Sequence, residues 1–268
     1  MPEKEPVITL LHLPEVDSTN RYAVRHQQEL ADGTLIVADS QSAGRGRRGR
    51  TWISPAGCNI YATLLIKNPA PQVFLAGALM GLAGEAALRE LLPDAPFFLK
   101  WPNDIYCRDR KIAGILCEGC GFVKGRLSGI AAGIGININL TQEDVDAIDL
   151  PATSLRLLAG HEFALKKVLE TLEKKLIEYY IIYSKSPEEL FLRWKNANRL
   201  MGQKLELIRE TGEVVQGIFA DIAEDGNLIL DCDGKLQCFC SGDVRVRRDS
   251  IDWKKLECTR NNREVCNE

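Results

Sequence analysis

Hydrophobic and polar positions in the first two thirds of the chain change repeatedly between the spacing of strands and that of helices. Apolar or alternating runs predict strands at 35–38, 59–66, 97–99, 111–120 and 127–139, the last two joined by a turn at Lys124-Gly125. Apolar positions recurring every three to four residues predict helices at 17–30, 73–92, 163–183 and from Pro187 to about 200. Interleaved elements of this kind are typical of an α/β (α+β) domain with a mixed β-sheet.

The second predicted helix carries Gly77, Gly81 and Gly84, a spacing that favours close packing against a neighbouring element.

The pattern changes after Gly202 to short strands separated by tight turns. Strands are predicted at 204–209, 214–222, 227–231, 235–240 and 244–247. Thr211-Gly212, Asp225-Gly226 and Asp233-Gly234 are hairpin signals. We therefore expect a first domain at 1–199, a small all-β barrel at 200–248 and a polar tail at 249–268.

The overall composition is that of a soluble globular protein. Of the 268 residues, 45% are hydrophobic and 26% are charged, and the formal net charge of −3 gives no sign of a nucleic-acid or membrane binder. No apolar run approaches the ~18 residues of a membrane span. The charged N-terminus lacks a signal-peptide core, so a cytoplasmic location without membrane association is expected.

The nine cysteines are expected to be reduced thiols, as is usual in the cytoplasm. Cys117/Cys120 and Cys238/Cys240 suggest zinc by their spacing. Both pairs fall in predicted strands, where alternate side chains face opposite ways, and no His lies at zinc-finger spacing. No metal site is therefore predicted.

The strongest candidate for chemistry is the loop Gly44-Arg45-Gly46-Arg47-Arg48-Gly49-Arg50. Glycines let the backbone approach a ligand closely, and arginines hold carboxylate or phosphate oxygens in pairs. The loop is neither a Walker A motif, because no Gly-Lys-Ser/Thr follows, nor a dinucleotide fingerprint, because no helix begins there. From composition alone, a solvated basic loop or an RNA-binding segment remains an equal interpretation.

A second candidate is Lys100-Trp101-Pro102-Asn103-Asp104, followed by Lys111 at the head of an apolar strand. Asn103 and Asp104 either cap a turn or contact a ligand. Lys111 either marks a solvated strand end or stabilises negative charge on a phosphate or carboxylate. The residues alone do not separate these alternatives.

A third candidate is the glycine-rich strand 129–139. Glycines weaken a strand unless something packs closely on its backbone, either a ligand or another strand. Asn137 either binds a ligand or ends the strand. His12, His26 and His161 lie away from all three candidates, which argues against histidine acid–base catalysis and is compatible with adenylation.

Four segments together resemble the biotin–protein ligase family (biotin–[acetyl-CoA-carboxylase] ligases) in order and spacing. They are Glu15-Val16-Asp17-Ser18-Thr19-Asn20, the run from Gln41 to Arg50, Lys100-Trp101-Pro102-Asn103-Asp104, and Lys111-Ile112-Ala113-Gly114-Ile115. The similarity runs from about Pro14 through Arg247. It implies a catalytic domain with a mixed sheet and a C-terminal barrel like an SH3 domain.

The resemblance also implies two half-reactions. Biotin reacts with ATP, assisted by Mg²⁺, to give biotinyl-5'-AMP and pyrophosphate. A lysine of an acceptor, expected to be a biotin carboxyl carrier domain, then attacks this mixed anhydride and becomes biotinylated.

Site residues follow by position in the matching motifs. The implied biotin contacts are Ser18, Thr19, Asn20, Gln41, Arg45, Gly46, Arg47 and Lys111, of which Lys111 and Arg47 are the catalytic candidates. The implied nucleotide and adenylate-loop residues are Arg48, Arg50, Trp52, Asn103, Asn137 and Arg247. Trp52 is either an adenine shelf or plain core.

Some relatives begin with a DNA-binding domain, and the few residues that precede Asp17 suggest a ligase without a specific DNA role. A homodimer is also considered. Two alternatives remain, a lipoate or octanoate ligase of the same fold and a non-enzymatic RNA-binding protein that uses the arginines.

Overall fold

The computed structural model describes residues 6–67 and 69–245, which divide into two compact units. The first contains the residues up to Leu99 and those from Asn103 to Trp194. The second contains Lys100–Pro102 and the residues from Lys195 onward. Arg247 and the tail at 249–268 lie outside the described residues.

The first unit is built on a seven-stranded mixed sheet. Its strands are β1 Thr9–Val16, β2 Thr34–Gln41, β3 Asn59–Lys67, β4 Phe97–Lys100, β5 Asp104–Cys107, β6 Arg110–Gly119 and β9 Gly129–Asn137. A separate hairpin of β7 Phe122–Val123 and β8 Arg126–Leu127 lies between β6 and β9 in the chain. The sheet order is β1-β2-β3-β9-β6-β5-β4. Strand β1 runs parallel to β2, whereas the pairs β2–β3, β3–β9, β9–β6 and β6–β5 are antiparallel. The predicted mixed sheet is confirmed.

Six α-helices accompany these strands within the described residues. They are α1 Thr19–His26, α2 Phe74–Leu91, α3 Gln142–Asp146, α4 Leu155–Ala159, α5 Leu165–Lys185 and α6 Pro187–Ala197. The four helices predicted from periodicity are therefore present. The helix predicted at 17–30 is shorter, since Ser18 has an extended backbone and the helix ends at His26. Helices α3 and α4 have five residues each, too few for a periodic pattern to show.

Helix α2 packs on one face of the sheet, and its glycines allow a close approach. A Cβ atom at Gly84 would lie 2.6 Å from Ile134 Cδ1, and one at Gly81 would lie 3.4 Å from Leu99 Cδ2. The close packing predicted from these glycines is confirmed. Helix α5 lies against α2.

The opposite face of the sheet carries α1 and the arginine–glycine loop. Ala23 of α1 is fully buried in a cluster with Ile36, Leu65 and Ala131 of β2, β3 and β9. Because both faces are covered, β3 is buried along almost its whole length.

Three details of the sheet depart from the sequence prediction. Strand β1 was not predicted, and β5 begins at Asp104, which the sequence analysis considered as a turn cap. The turn predicted at Lys124-Gly125 is present, with φ of 51° and 75°, but it closes the separate hairpin β7–β8. The long strands predicted at 111–120 and 127–139 stop short of this hairpin on either side.

After the end of α6, the described part of the second unit is built of β-strands, as predicted. Its strands are β10 Lys204–Ile208, β11 Val214–Ile222, β12 Leu228–Cys232, β13 Lys235–Phe239 and β14 Asp243–Arg245. They form an antiparallel sheet in the order β13-β12-β11-β10-β14. Gly212, Gly226 and Gly234, at the three hairpin signals, all have positive φ. The Trp101 indole is buried in this unit and donates a hydrogen bond of 2.9 Å to the carbonyl oxygen of Gly226.

The cysteines that the structure describes are free thiols, in line with the expected reduced state. None of the helices in the described part of the chain combines the length and apolarity that a membrane crossing needs.

Candidate functional site

The arginine–glycine loop closes on itself through main-chain hydrogen bonds. The amide of Gly46 donates to Arg50 at 2.7 Å, and the amide of Trp52 donates to Gly44 at 3.0 Å. Arg48 and Gly49 both have positive φ, 56° and 73°, so the turn at the loop tip needs a glycine that tolerates this conformation. The side chains of Arg48 and Arg50 are exposed. The loop therefore presents cationic groups on a defined turn.

A buried polar network lies beneath this loop, at the start of α1. Gln41, at the end of β2, accepts a hydrogen bond of 2.9 Å from the amide of Thr19 and donates one of 2.9 Å to the Ser54 hydroxyl. The Thr63 hydroxyl, fully buried on β3, lies 2.8 Å from the Thr19 hydroxyl. It also donates to Asn20 Oδ1 at 2.7 Å.

Asn20 and Glu118 continue the network to the loop. Asn20 Nδ2 donates to the carbonyl oxygen of Leu116 at 2.9 Å and to Glu118 Oε2 at 3.1 Å. The other carboxylate oxygen of Glu118 forms an ion pair of 2.7 Å with Arg45. Four residues predicted as biotin contacts, Thr19, Asn20, Gln41 and Arg45, are thus linked by hydrogen bonds. The Asn20 amide group is bonded to protein through both its nitrogen and its oxygen.

Ser18, the remaining candidate in this segment, occupies the N-cap position of α1. It is 2% exposed, and its side chain makes no capping hydrogen bond. The preceding carboxylate, Asp17, is held by both guanidinium nitrogens of Arg25 at 2.7 and 2.8 Å. The Arg25 hydrogen bond lowers the pKa of Asp17 to about 2. The start of α1 is therefore fixed by an ion pair.

Lys111 is enclosed and is not a solvated strand end. Its ammonium group lies 2.5 Å from Asp104 Oδ1, with side chains 19% and 18% exposed, and 5.4 Å from the centroid of the Trp52 ring. Its main chain is held by a neighbouring segment, since its amide donates to Pro151 and its carbonyl accepts from Thr153, both at 2.9 Å. The position of this charge is therefore fixed by both its backbone and its counter-ion.

Asn103 joins the arginine–glycine loop to β6. Its Nδ2 donates to the carbonyl oxygen of Ile115 at 2.6 Å, and its Oδ1 accepts from Arg47 at 2.9 Å. Asp104 is paired with Lys111. Both side chains therefore contact residues outside their own turn: Asn103 bonds β6 and the loop, and Asp104 pairs with Lys111.

Gly114 of β6 and Gly133 and Gly135 of β9 form a glycine patch, a part of the sheet surface under the loop that carries no side chains of its own. Gly114 pairs with Gly135, and Gly133 pairs with Leu116. A Cβ atom at Gly135 would lie 2.4 Å from Trp52 Nε1, and one at Gly133 would lie 2.0 Å from Asn20 Oδ1. The close approach predicted for these glycines comes from the side chains of Trp52 and Asn20. The Trp52 indole nitrogen is buried and has no hydrogen-bond partner in the structure described.

Asn137 lies at the end of β9 and is 4% exposed. Its Nδ2 donates to the carbonyl oxygen of Thr153 at 3.1 Å, and the Thr153 amide donates to Lys111. The amide group of Asn137 thus supports the segment beside Lys111. Arg247, the last nucleotide candidate, is outside the described residues.

The sequence analysis missed the two residues that connect the network, Thr63 and Glu118. Each interrupts an otherwise apolar strand, Thr63 within 60–66 and Glu118 within 112–120. A polar side chain in a buried strand needs a partner, so this interruption was an available signal.

Two family models match the chain. The model described as the biotin/lipoate A/B protein ligase family matches residues 13–137, and the model described as the biotin protein ligase C-terminal domain matches residues 201–247. The first match contains the network, the arginine–glycine loop and Lys111.

Curated relatives and solved structures agree with these matches. The bifunctional ligase/repressor BirA of Salmonella typhimurium is 34% identical over 88% of this chain and 73% of its own length. The biotin–[acetyl-CoA-carboxylase] ligase of Paracoccus denitrificans is 32% identical over 81% of this chain and 92% of its own length. The biotin protein ligase from Aquifex aeolicus, solved in complex with biotin and ATP, superposes with a TM-score of 0.73 and 29% identity, covering 90% of this chain and 99% of that one. The chain belongs to the biotin protein ligase family.

Proposed function

We propose that this ligase activates biotin with ATP and transfers it to a lysine of an acceptor protein. Family membership supports the reaction class. The observation that carries the assignment to this site is the enclosed Lys111 ammonium, held 2.5 Å from Asp104 beside the glycine patch and under the arginine–glycine loop. A fixed cation in a partly dehydrated site stabilises negative charge that develops during reaction.

The first half-reaction is an exchange at phosphorus. A carboxylate oxygen of biotin forms a bond to the α-phosphorus of ATP, the bond to the bridging oxygen breaks, and pyrophosphate leaves with the electron pair. Lys111 belongs to β6 and its ammonium lies 5.4 Å from the centroid of the Trp52 ring, where its charge would neutralise the carboxylate and the α-phosphate as they approach. Arg47, bonded to Asn103 at 2.9 Å, would add a second cation on the loop side.

In the second half-reaction the acceptor amine attacks the acyl carbon of biotinyl-5'-AMP. The bond to the AMP oxygen breaks, AMP leaves with the electron pair, and the proton released from the amine passes to solvent water, leaving the amide. These steps require positioning and charge neutralisation more than a histidine base, in keeping with the three histidines lying away in sequence from the arginine–glycine loop, Lys111 and the glycine-rich strand.

We assign biotin recognition to Ser18, to the network of Thr19, Asn20 and Gln41, and to Arg45 and Gly46. Nucleotide recognition is assigned to Arg48, Arg50, Trp52, Asn103 and Asn137, with Arg247 as a further candidate. The unpaired indole nitrogen of Trp52 supports this, because a buried N–H without a partner gains by meeting an acceptor.

Magnesium is proposed to enter with the nucleotide as the Mg·ATP complex. Within residues 6–67 and 69–245, no group of three or more His, Cys, Asp or Glu side chains is placed to hold a metal ion. Mg²⁺ commonly takes most of its ligands from phosphates and water, so a resident protein cage is not required.

The proposed acceptor is the biotin carboxyl carrier domain of acetyl-CoA carboxylase, in line with the name of the Paracoccus denitrificans relative. A cytoplasmic location, a homodimer and the lack of specific DNA binding stay predictions.

The experiment incubates the protein with Mg·ATP, a carrier domain and either radiolabelled biotin or radiolabelled lipoate. We expect biotin-dependent pyrophosphate release and label on the carrier, and no label on a carrier whose target lysine is replaced by arginine. Faster labelling by lipoate would support the lipoate-ligase alternative. No release of pyrophosphate with either acid would remove the proposed function.

A further inference from the structure

We propose that Glu118 is a positioning residue that holds Arg45, and with it the arginine–glycine loop, in the geometry that binds biotin. The role in biotin binding rests on the proposed function, whereas the restraint on the loop is independent of it. Glu118 belongs to none of the motifs that carry the family resemblance.

Strand alternation places Glu118 under the loop. Gly114, Leu116 and Glu118 share one face of β6, the face on which Trp52 packs over Gly114. Ile115 and Cys117 face the opposite way, toward Gly77 of α2. The carboxylate therefore rises from the same surface that carries the candidate site.

The carboxylate of Glu118 joins α1 to the arginine–glycine loop. One oxygen accepts from Asn20 on α1 at 3.1 Å, and the other accepts from Arg45 on the loop at 2.7 Å. Its side chain is 22% exposed and that of Arg45 is 40% exposed. This ion pair is thus partly shielded, and it is anchored on its inner side by an asparagine that is itself 4% exposed.

Both partners of Glu118 donate hydrogen bonds, so the position needs two acceptors. A carboxylate supplies both, whereas the amide of glutamine supplies one acceptor and two donors. Glu118→Gln therefore keeps the size of the side chain, but its NH₂ group, a donor, would face the donor group of either Asn20 or Arg45. Because Asn20 is buried, we expect its bond to survive and Arg45 to be released.

The test compares Glu118→Gln with the control Glu162→Gln. Glu162 pairs with Arg156 at the same 2.7 Å, with side chains 66% and 37% exposed, and neither residue belongs to the loop. Trypsin cleavage after Arg47, Arg48 and Arg50 is followed by mass spectrometry without ligand. We expect Glu118→Gln to be cleaved roughly three- to tenfold faster than wild type and the control to be unchanged, a range set by the partial shielding of the pair.

Biotin binding gives the second readout. Isothermal titration calorimetry of Glu118→Gln is expected to show a Kd for biotin raised by roughly the same three- to tenfold factor. In a separate activity assay, kcat at saturating biotin should change by less than about twofold, because Glu118 acts on ground-state binding. Arg45→Gln and the double variant complete a cycle. If Glu118 acts through Arg45, the double variant binds biotin as Arg45→Gln does.

The outcomes separate this proposal from the proposed function. If wild type fails to bind biotin, the proposed function fails, and the cleavage assay still tests the restraint. Equal behaviour of the Glu118 and Glu162 variants, or losses that multiply in the double variant, would overturn the proposal. If Glu118→Gln does not fold, Arg45→Gln tests the same ion pair from its exposed side. A loop that trypsin cleaves no faster in Arg45→Gln than in wild type would also overturn the proposal.

Discussion

At the scale of single residues, Lys111 bears the largest expected effect on chemistry. Lys111→Gln keeps a polar side chain but removes the charge that faces Asp104 and Trp52. We expect biotin-dependent pyrophosphate exchange to slow by about two to three orders of magnitude, the scale of losing one oriented stabilising group. The exposed Lys166→Gln is the control. An exchange rate within about threefold of wild type for Lys111→Gln would contradict the assignment.

Asp17 gives a prediction that depends on pH. Hydrogen bonding by Arg25 lowers its pKa from 3.8 to about 2 in the folded state, so the pair stabilises the protein above the unfolded-state pKa. That stabilisation is lost as the pH falls from about 4 to about 2. Because Arg25 is 51% exposed, screening reduces the effect, and we expect Asp17→Asn to lower the unfolding free energy by roughly 1 kcal/mol at pH 7. Urea titrations at pH 7 and below pH 3 check this, since the difference should shrink in acid.

The sequence motifs selected candidate-site residues on both the surface and the buried side, but not the two polar residues that connect them. Lys111, Gln41 and the arginines were selected because their motifs have recognisable residue types at fixed spacing. Thr63 and Glu118 are single polar residues in apolar strands, and their partners Asn20 and Arg45 are 43 and 73 positions away. Contacts at that separation exist only once the sheet has formed.

At the scale of elements, the glycines of α2 give a matched pair of substitutions. A Cβ atom at Gly84 would lie 2.6 Å from Ile134 and 2.9 Å from Ile105, whereas at Gly77 its nearest neighbour would be Cys117 Sγ at 3.5 Å. We expect Gly84→Ala to destabilise the protein by roughly 1–2 kcal/mol through overpacking. Gly77→Ala should be neutral or stabilise it by up to about 1 kcal/mol, because alanine favours the helix. Thermal unfolding that ranks the two variants in the reverse order would contradict this packing.

Elements with a clear period were predictable, and those that depend on a neighbour were not. Helices α2 and α5 carry long apolar patterns and were found within two residues of their ends. Strand β1 is an edge strand with mostly exposed or half-buried side chains and an internal Pro14, so its hydrophobic pattern is weak. Its existence follows from parallel pairing with β2, which the sequence of 9–16 does not announce.

At the scale of the whole molecule, Trp101 shows how a short segment can belong to a distant part of the chain. Residues 100–102 group with those beyond 195, and the Trp101 indole donates to the carbonyl oxygen of Gly226. A pattern read along the chain gives no sign of this bond across 125 positions.

Trp101→Phe is expected to lower the unfolding free energy by roughly 1–3 kcal/mol, because the buried Gly226 carbonyl loses its donor. Trp52→Phe is the matched control, since the Trp52 indole nitrogen has no hydrogen-bond partner in the described structure and its removal breaks none. Chemical denaturation followed by circular dichroism measures both. A loss for Trp52→Phe as large as that for Trp101→Phe would show that indole size, and not the hydrogen bond, sets the effect.

The position of Trp52 also has a kinetic consequence. Its indole rests on Gly114 and Gly135, so the glycine surface is already covered by the protein's own side chain. A ligand that is to lie on this surface must wait for the indole to move away. In stopped-flow mixing, the observed association rate should therefore rise with ligand concentration and then level off, at a ceiling set by the motion of one tryptophan and the loop that carries it.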